Sequence, residues 1–111
     1  MNLSIMFTVI YSFKVKENQS EVFEKAWKDL TLLIYEFEGS LGSRLHKNSE
    51  NNYIGYAQWP DKTTWEKSGD HLPEIADEIR KTMKSACTSI EVLHELEVVD
   101  DLLEKVSHIQ R

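Results

Sequence analysis

The residues with the means for chemistry gather in one stretch, from Gly55 and Tyr56 through Trp59, Trp65 and His71 to Arg80. A strand through Tyr53–Trp59 places Tyr53, Gly55, Ala57 and Trp59 on one face, two small side chains between two large aromatic ones. That leaves room above the strand, bounded by indole, where a flat organic molecule fits. A closely packed helix fits it as well, and Trp59 is then a core anchor. Trp65 follows Pro60-Asp61 on a short helical stretch, as a lid over such a space or as further packing.

Arg80 carries a planar fork suited to a phenolate or carboxylate. The ordinary alternative is a solvated helix charge paired with Asp77 or Glu74. His71 lies near Trp65 and is of the residue type most often used as a general base, or else is a surface residue before Pro73. His46 has no neighbouring histidine, cysteine or carboxylate pair, so no metal site is expected there, and His94 on the alternating face of the last strand reads as a satisfied half-buried histidine rather than a catalyst. Cys87 has only Lys84 nearby, which does not support a reactive thiolate. Tyr11, Tyr53 and Tyr56 are phenolic donors that either face a cavity or find a partner in the core.

With 111 residues, the chain has the size of one domain with one core. Its composition, 41% hydrophobic and 29% charged, is that of a globular protein. The net charge of −6 and the lack of a basic stripe argue against nucleic acid as a partner. A single cysteine excludes an internal disulfide and suits a reducing, cytoplasmic setting. Leu3–Phe13 is apolar, but it is too short to span a bilayer and lacks the flanks of a signal peptide, so no membrane partner is expected.

Several elements must position these residues. In 4–16, Ile5, Phe7, Val9, Tyr11, Phe13 and Val15 share one face, which predicts a strand. Asn18 or Ser20 can cap a helix running to about Glu36, with Val22, Phe23, Ala26, Trp27, Leu30, Leu33, Ile34 and Phe37 inward and Gly39 ending it. Leu41–Lys47 and 53–59 read as strands joined by a longer hairpin turn through Asn48–Asn52. Thr63–Lys67 is a brief helix, and Pro73 opens another with Ile75, Ala76, Ile79 and Met83 inward. Thr88–Val99 is the last strand, with Ile90, Val92, His94, Leu96 and Val98 in one row. The order is β-α-β-β-α-β, an α+β ferredoxin-like fold: a four-stranded antiparallel sheet with helices on one face. Residues 1–99 form this domain, and 100–111 are a charged tail with Leu102, Leu103, Val106 and Ile109 at helical spacing. The second sheet face is partly apolar, so a homodimer with sheets face to face is expected, the tail reaching its partner.

The run Gly39–His46, then Tyr53–Trp59, then Trp65, resembles the antibiotic biosynthesis monooxygenase family of dimeric α+β barrels, over roughly residues 5–98. Tyr56-Ala57-Gln58-Trp59 is similar to the segment of cofactor-free members that oxidise aromatic polyketide intermediates to quinones. The resemblance implies a substrate-binding role for Trp59, Trp65, Gly55 and Tyr56 and a catalytic one for Arg80, with His71 a further base candidate. Two positions depart from the pattern: Gly55 stands in place of an asparagine, and Trp65 in place of a tyrosine. Haem-degrading relatives carry an asparagine on the first strand and a histidine ten residues after a helix tryptophan. Here the first strand offers Thr8 or Ser12, and Ile75 is ten residues after Trp65. No phosphate loop, dinucleotide fingerprint or cysteine pair is present. The resemblance therefore implies a monooxygenase without a cofactor, its electrons drawn from a small aromatic or quinone-like substrate. The alternative on the same fold is a non-catalytic homodimeric module for small-ligand binding or assembly.

Overall fold

A computed structural model describes residues 6–103. The elements are β1 (Phe7–Val15), α1 (Ser20–Phe37), β2 (Gly42–Ser49), β3 (Asn52–Trp59), α2 (Lys62–Glu66), α3 (Ile75–Ser85) and β4 (Cys87–Glu97). The strands form one four-stranded sheet in the order β2-β3-β1-β4, with every pair antiparallel. Alternation on β1 directs Phe7, Val9, Phe13 and Val15 into the core with Tyr11 half-buried. Ile5, expected in the same row, lies outside the described residues.

α1 buries Phe23, Ala26 and Leu30 against that face. Phe23 sits between Phe13 and Tyr53, with ring centroids 5.1 and 4.9 Å away, tilted contacts worth about 0.5–1.5 kcal/mol each beyond area burial. The Tyr53 hydroxyl donates to the Glu24 carboxylate and so ties β3 to α1. Val22 and Phe37, expected inward, are exposed. Neither Asn18 nor Ser20 caps α1: the position belongs to Gln19, and Asn18 turns the chain with a φ of 65°. Gly39 does take the left-handed conformation (φ 79°) that ends the helix turn.

β2 and β3 run further than alternation implies and leave only Glu50-Asn51 between them, a tighter hairpin than expected. The Asp61 carboxylate caps α2 by accepting the Thr64 N–H at 2.7 Å. On α3, Ala76 and Met83 are buried and Ile79 half-buried, but Ile75 in the first turn points to solvent.

β4 departs most from the expected pattern. Its pairing with β1 slips between Ile10 and Tyr11: Tyr11 opposes Val92, Ile10 opposes His94, and Leu93 is the extra residue. Such a bulge exchanges the faces of the strand. Ile90 and Val92 therefore share the helix side with Phe13 and Tyr11, whereas His94 and Leu96 lie opposite beside Ile10 and Thr8. The single row from Ile90 to Val98 is thus two half-rows. Of the tail, residues 100–103 are non-helical and exposed; Val106 and Ile109 lie outside the described residues. No described helix is long and apolar enough to cross a membrane.

Candidate active site

The small residues of β3 do leave a space. A cavity of about 170 Å³ lies between α1 and the sheet. Its floor is Gly55, Ala57 and Trp59 with Tyr11 and Phe13 beside them; its roof is Trp27, Leu30 and Ile34. Met83 and Ile90 line one flank, and the hydroxyl residues Thr31 on α1 and Ser43 on the edge strand β2 line the cavity as well. An apolar cavity of about 150 Å³ in another protein takes up benzene, so this volume is large enough for a single aromatic ring.

Gly55 makes room for a side chain of the protein itself. A Cβ at this position would meet the Phe13 ring at 2.9 Å, closer than carbon atoms tolerate. The aromatic ring of Phe13 thus occupies the place directly above Gly55, and the open volume begins beyond it. Tyr56 borders the cavity along the strand, but its hydroxyl donates to Gln58 at 3.0 Å, and both residues alternate to the other face. Trp59 is 3% exposed and lines the cavity, yet its Nε1–H is sealed from solvent and has no acceptor among the described residues.

Trp65 does not line the cavity. It packs on Phe7, with centroids 5.7 Å apart, and its Nε1–H donates to the Tyr11 hydroxyl at 2.9 Å. Tyr11 does line the cavity and so connects α2 to it. Burial raises the Tyr11 pKa against the opposing effect of that hydrogen bond, and the Glu95 charge raises it further. The phenol is therefore neutral at physiological pH. Alternation alone marked Tyr11 as inward; what revealed its place was its register opposite Gly55.

His71 and Arg80 stand apart from the cavity. The His71 side chain is 71% exposed, and its ring Nδ1 lies 3.1 Å from the Glu38 carboxylate, which also accepts the His71 N–H at 2.8 Å. Glu38 itself is only 2% exposed. Burial would raise its pKa, but hydrogen bonds from the His71 backbone and ring and from the Gly69 backbone prevail and hold it low. This pair fastens the loop before α3 to the end of α1. Arg80 is half-buried on α3, one turn before Met83, and has no carboxylate partner among the described residues, including the expected Asp77 and Glu74. Among the described residues no three His, Cys, Asp or Glu side chains converge on a point that could hold a metal ion.

Comparison with known proteins agrees with this architecture. The sequence model of the antibiotic biosynthesis monooxygenases matches residues 6–85. Among solved structures, SnoaB, a cofactor-independent oxygenase from Streptomyces nogalater, superposes with a TM-score of 0.73 at 14% identity, covering 91% of this chain and 100% of the other. A candidate antibiotic biosynthesis monooxygenase from Caulobacter crescentus CB15 gives 0.72 at 19% identity, over 87% and 92% of the two chains. Another from Bordetella bronchiseptica gives 0.65 at 22%, over 86% and 98%. These likenesses concern the fold. No curated protein matches the sequence.

Proposed function

From the premise that the chain belongs to the antibiotic biosynthesis monooxygenase family, we propose that it is a cofactor-independent oxygenase whose small aromatic or quinone-like substrate lies in the cavity beneath α1. The observation that carries this reading is an apolar cavity over Gly55–Trp59, walled by Trp27, Trp59 and Tyr11. The distant structural likeness to a cofactor-independent oxygenase supports it.

On this reading the substrate provides the electrons. Hydroquinone illustrates the balance: with dioxygen it yields hydroxyquinone and water, one oxygen atom forming a new C–O bond and the other leaving as water. All the electrons come from the ring, and the displaced ring hydrogen and phenolic protons end in the water and the new hydroxyl. The chain contributes binding, orientation by indole faces and exclusion of bulk water. Arg80, one turn before Met83 on α3, is proposed as a cation for the substrate oxygen, and His71 as a base only if its loop moves toward the site.

One observation favours the second reading, a non-catalytic ligand-binding module: apart from tyrosine, no residue of the cavity wall is ionisable. Oxygen uptake separates the two. Purified protein with hydroquinone and no added cofactor should consume oxygen above the autoxidation rate, and labelled dioxygen should place one labelled atom in the product. Saturable binding with background uptake alone would instead establish the module.

We also propose a homodimer packed through the sheet face opposite the helices. Support comes from Leu93 and Leu96, 45% and 46% exposed, beside Ile10 and Tyr56 on the strands. Sedimentation at micromolar concentration should give twice the monomer mass. The single, buried Cys87 supports a cytoplasmic placement.

A further inference from the structure

Three features of the cavity bear on its ligand: its volume, its lack of charge and the state of one hydroxyl. The volume of about 170 Å³ is close to that of an apolar cavity of about 150 Å³ that takes up benzene, and so suits one ring with small substituents. The wall holds no Asp, Glu, Lys, Arg or His. A carboxylate brought here would lose most of its hydration and meet hydroxyls but no cation, a cost that packing does not offset. A neutral ring loses only weak hydration.

The Tyr11 hydroxyl is the remaining feature. Its oxygen accepts the Trp65 Nε1–H at 2.9 Å, which fixes the phenol's orientation and leaves its own hydrogen to be donated. Among the described residues that hydrogen has no acceptor. Because the phenol is neutral at physiological pH, the hydrogen is present. Tyr11 is one of the lining residues, and a polar group on an otherwise apolar wall is the usual means by which such a pocket orients its ligand.

We propose that the cavity takes an uncharged, single-ring aromatic bearing an oxygen acceptor, a phenol or quinone carbonyl, and that Tyr11 donates a hydrogen bond to that oxygen while Trp65 holds Tyr11 in position. This rests on the cavity being the ligand site of the reading above but narrows its substrate class.

The test uses the full chain and four compounds followed by calorimetry: phenol, toluene, benzoate and fluorenone, a fused three-ring ketone. Phenol should bind saturably, toluene more weakly, and benzoate and fluorenone not at all. Tyr11→Phe should weaken phenol about two- to tenfold, the range of one neutral hydrogen bond, and leave toluene unchanged. The toluene result is one that general damage to the cavity would alter. Leu30→Phe, which fills the cavity from α1, should abolish binding of both while the far-ultraviolet spectrum is retained. Fluorenone binding as tightly as phenol, equal losses for phenol and toluene in Tyr11→Phe, or no binding by any compound would each overturn the proposal. Oxygen uptake from hydroquinone, followed in parallel, keeps the two readings apart. Single-ring binding without uptake removes the oxygenase and leaves this inference standing; uptake accompanied by fluorenone binding does the reverse.

Discussion

Phe13 and Gly55 share one space: the Phe13 ring stands 2.9 Å from where a Gly55 Cβ would be. Phe13 is buried between Phe23 and Tyr11, with centroids at 5.1 and 6.0 Å, so the ring cannot swing aside cheaply. Gly55→Ala should therefore destabilise the protein by about 1–3 kcal/mol, the usual cost of overpacking. Gly55→Asn, which supplies the asparagine implied by the family resemblance, should cost more and still place no amide in the cavity. Phe13→Leu in the same chain should recover part of the Gly55→Ala loss, because the two side chains compete for one volume. Urea titration of the two single variants and the double variant measures that coupling; additive losses would show that the ring yields freely.

The buried Glu38 carboxylate gives the loop before α3 an acid-sensitive attachment. Its pKa is depressed in the folded chain, so the stability it contributes is present above the ordinary glutamate value, about 4.3, and is lost as the pH falls through its folded pKa. Hydrogen-exchange protection at Gly69 and His71, corrected for the intrinsic pH dependence of exchange, should fall over that acidic window. Glu38→Gln should remove the pH dependence. His71→Ala should have a smaller effect, under about 1 kcal/mol, since the ring is 71% exposed and the backbone N–H that also bonds Glu38 survives the substitution.

How much of this was legible in the sequence follows from the range of each interaction. The strand and helix order is written in local periodicity, and alternation from Tyr53 to Trp59 suffices to foresee an opening over Gly55 and Ala57. What filled part of that opening was not legible. Phe13 reaches Gly55 only because β1 pairs with β3 so that Tyr11 opposes Gly55, and a one-residue slip would have turned both aromatic residues to the other face. The β4 bulge is hidden for the same reason: Leu93 is as apolar as its neighbours, and only pairing with β1 shows it to be the extra residue. His71 drew attention as a possible base through its proximity in sequence to Trp65. Its partner Glu38 lies 33 residues away, in a turn whose burial no local pattern reveals.

Alkaline pH should test the state of the two inward phenols. Tyr11 and Tyr53 both have raised pKa values, primarily from burial. Each therefore contributes stability that is full below about pH 10, the value in the unfolded chain, and declines as the pH rises toward the folded value. Melting temperature should fall above pH 10, and Tyr11→Phe should flatten that decline. Trp65→Phe removes the donor that favours the Tyr11 phenolate, so the Tyr11 pKa should rise further. An ultraviolet phenolate titration in which Trp65→Phe lowers it would show that the 2.9 Å contact does not act as a hydrogen bond.

Trp59 combines deep burial with an unpartnered donor, and the two effects oppose each other on substitution. Trp59→Ala should cost about 3–5 kcal/mol, as expected for an aromatic side chain in a core. Trp59→Phe loses part of the ring but also removes a buried N–H that lacks an acceptor, a penalty of about 1–3 kcal/mol. The net change for Trp59→Phe should lie within about 1 kcal/mol of zero. Because Nε1 is sealed from the cavity and the indole contributes apolar surface to its wall, Trp59→Phe should also bind phenol within a few-fold of the parent. Chemical denaturation and calorimetry on the same sample decide between the roles. A phenol affinity lost with stability intact would mean that the indole N–H turns to meet the ligand oxygen, making Trp59 a second donor beside Tyr11. Affinity and stability both near the parent values leave Trp59 as a wall whose aromatic face, not its nitrogen, serves the site.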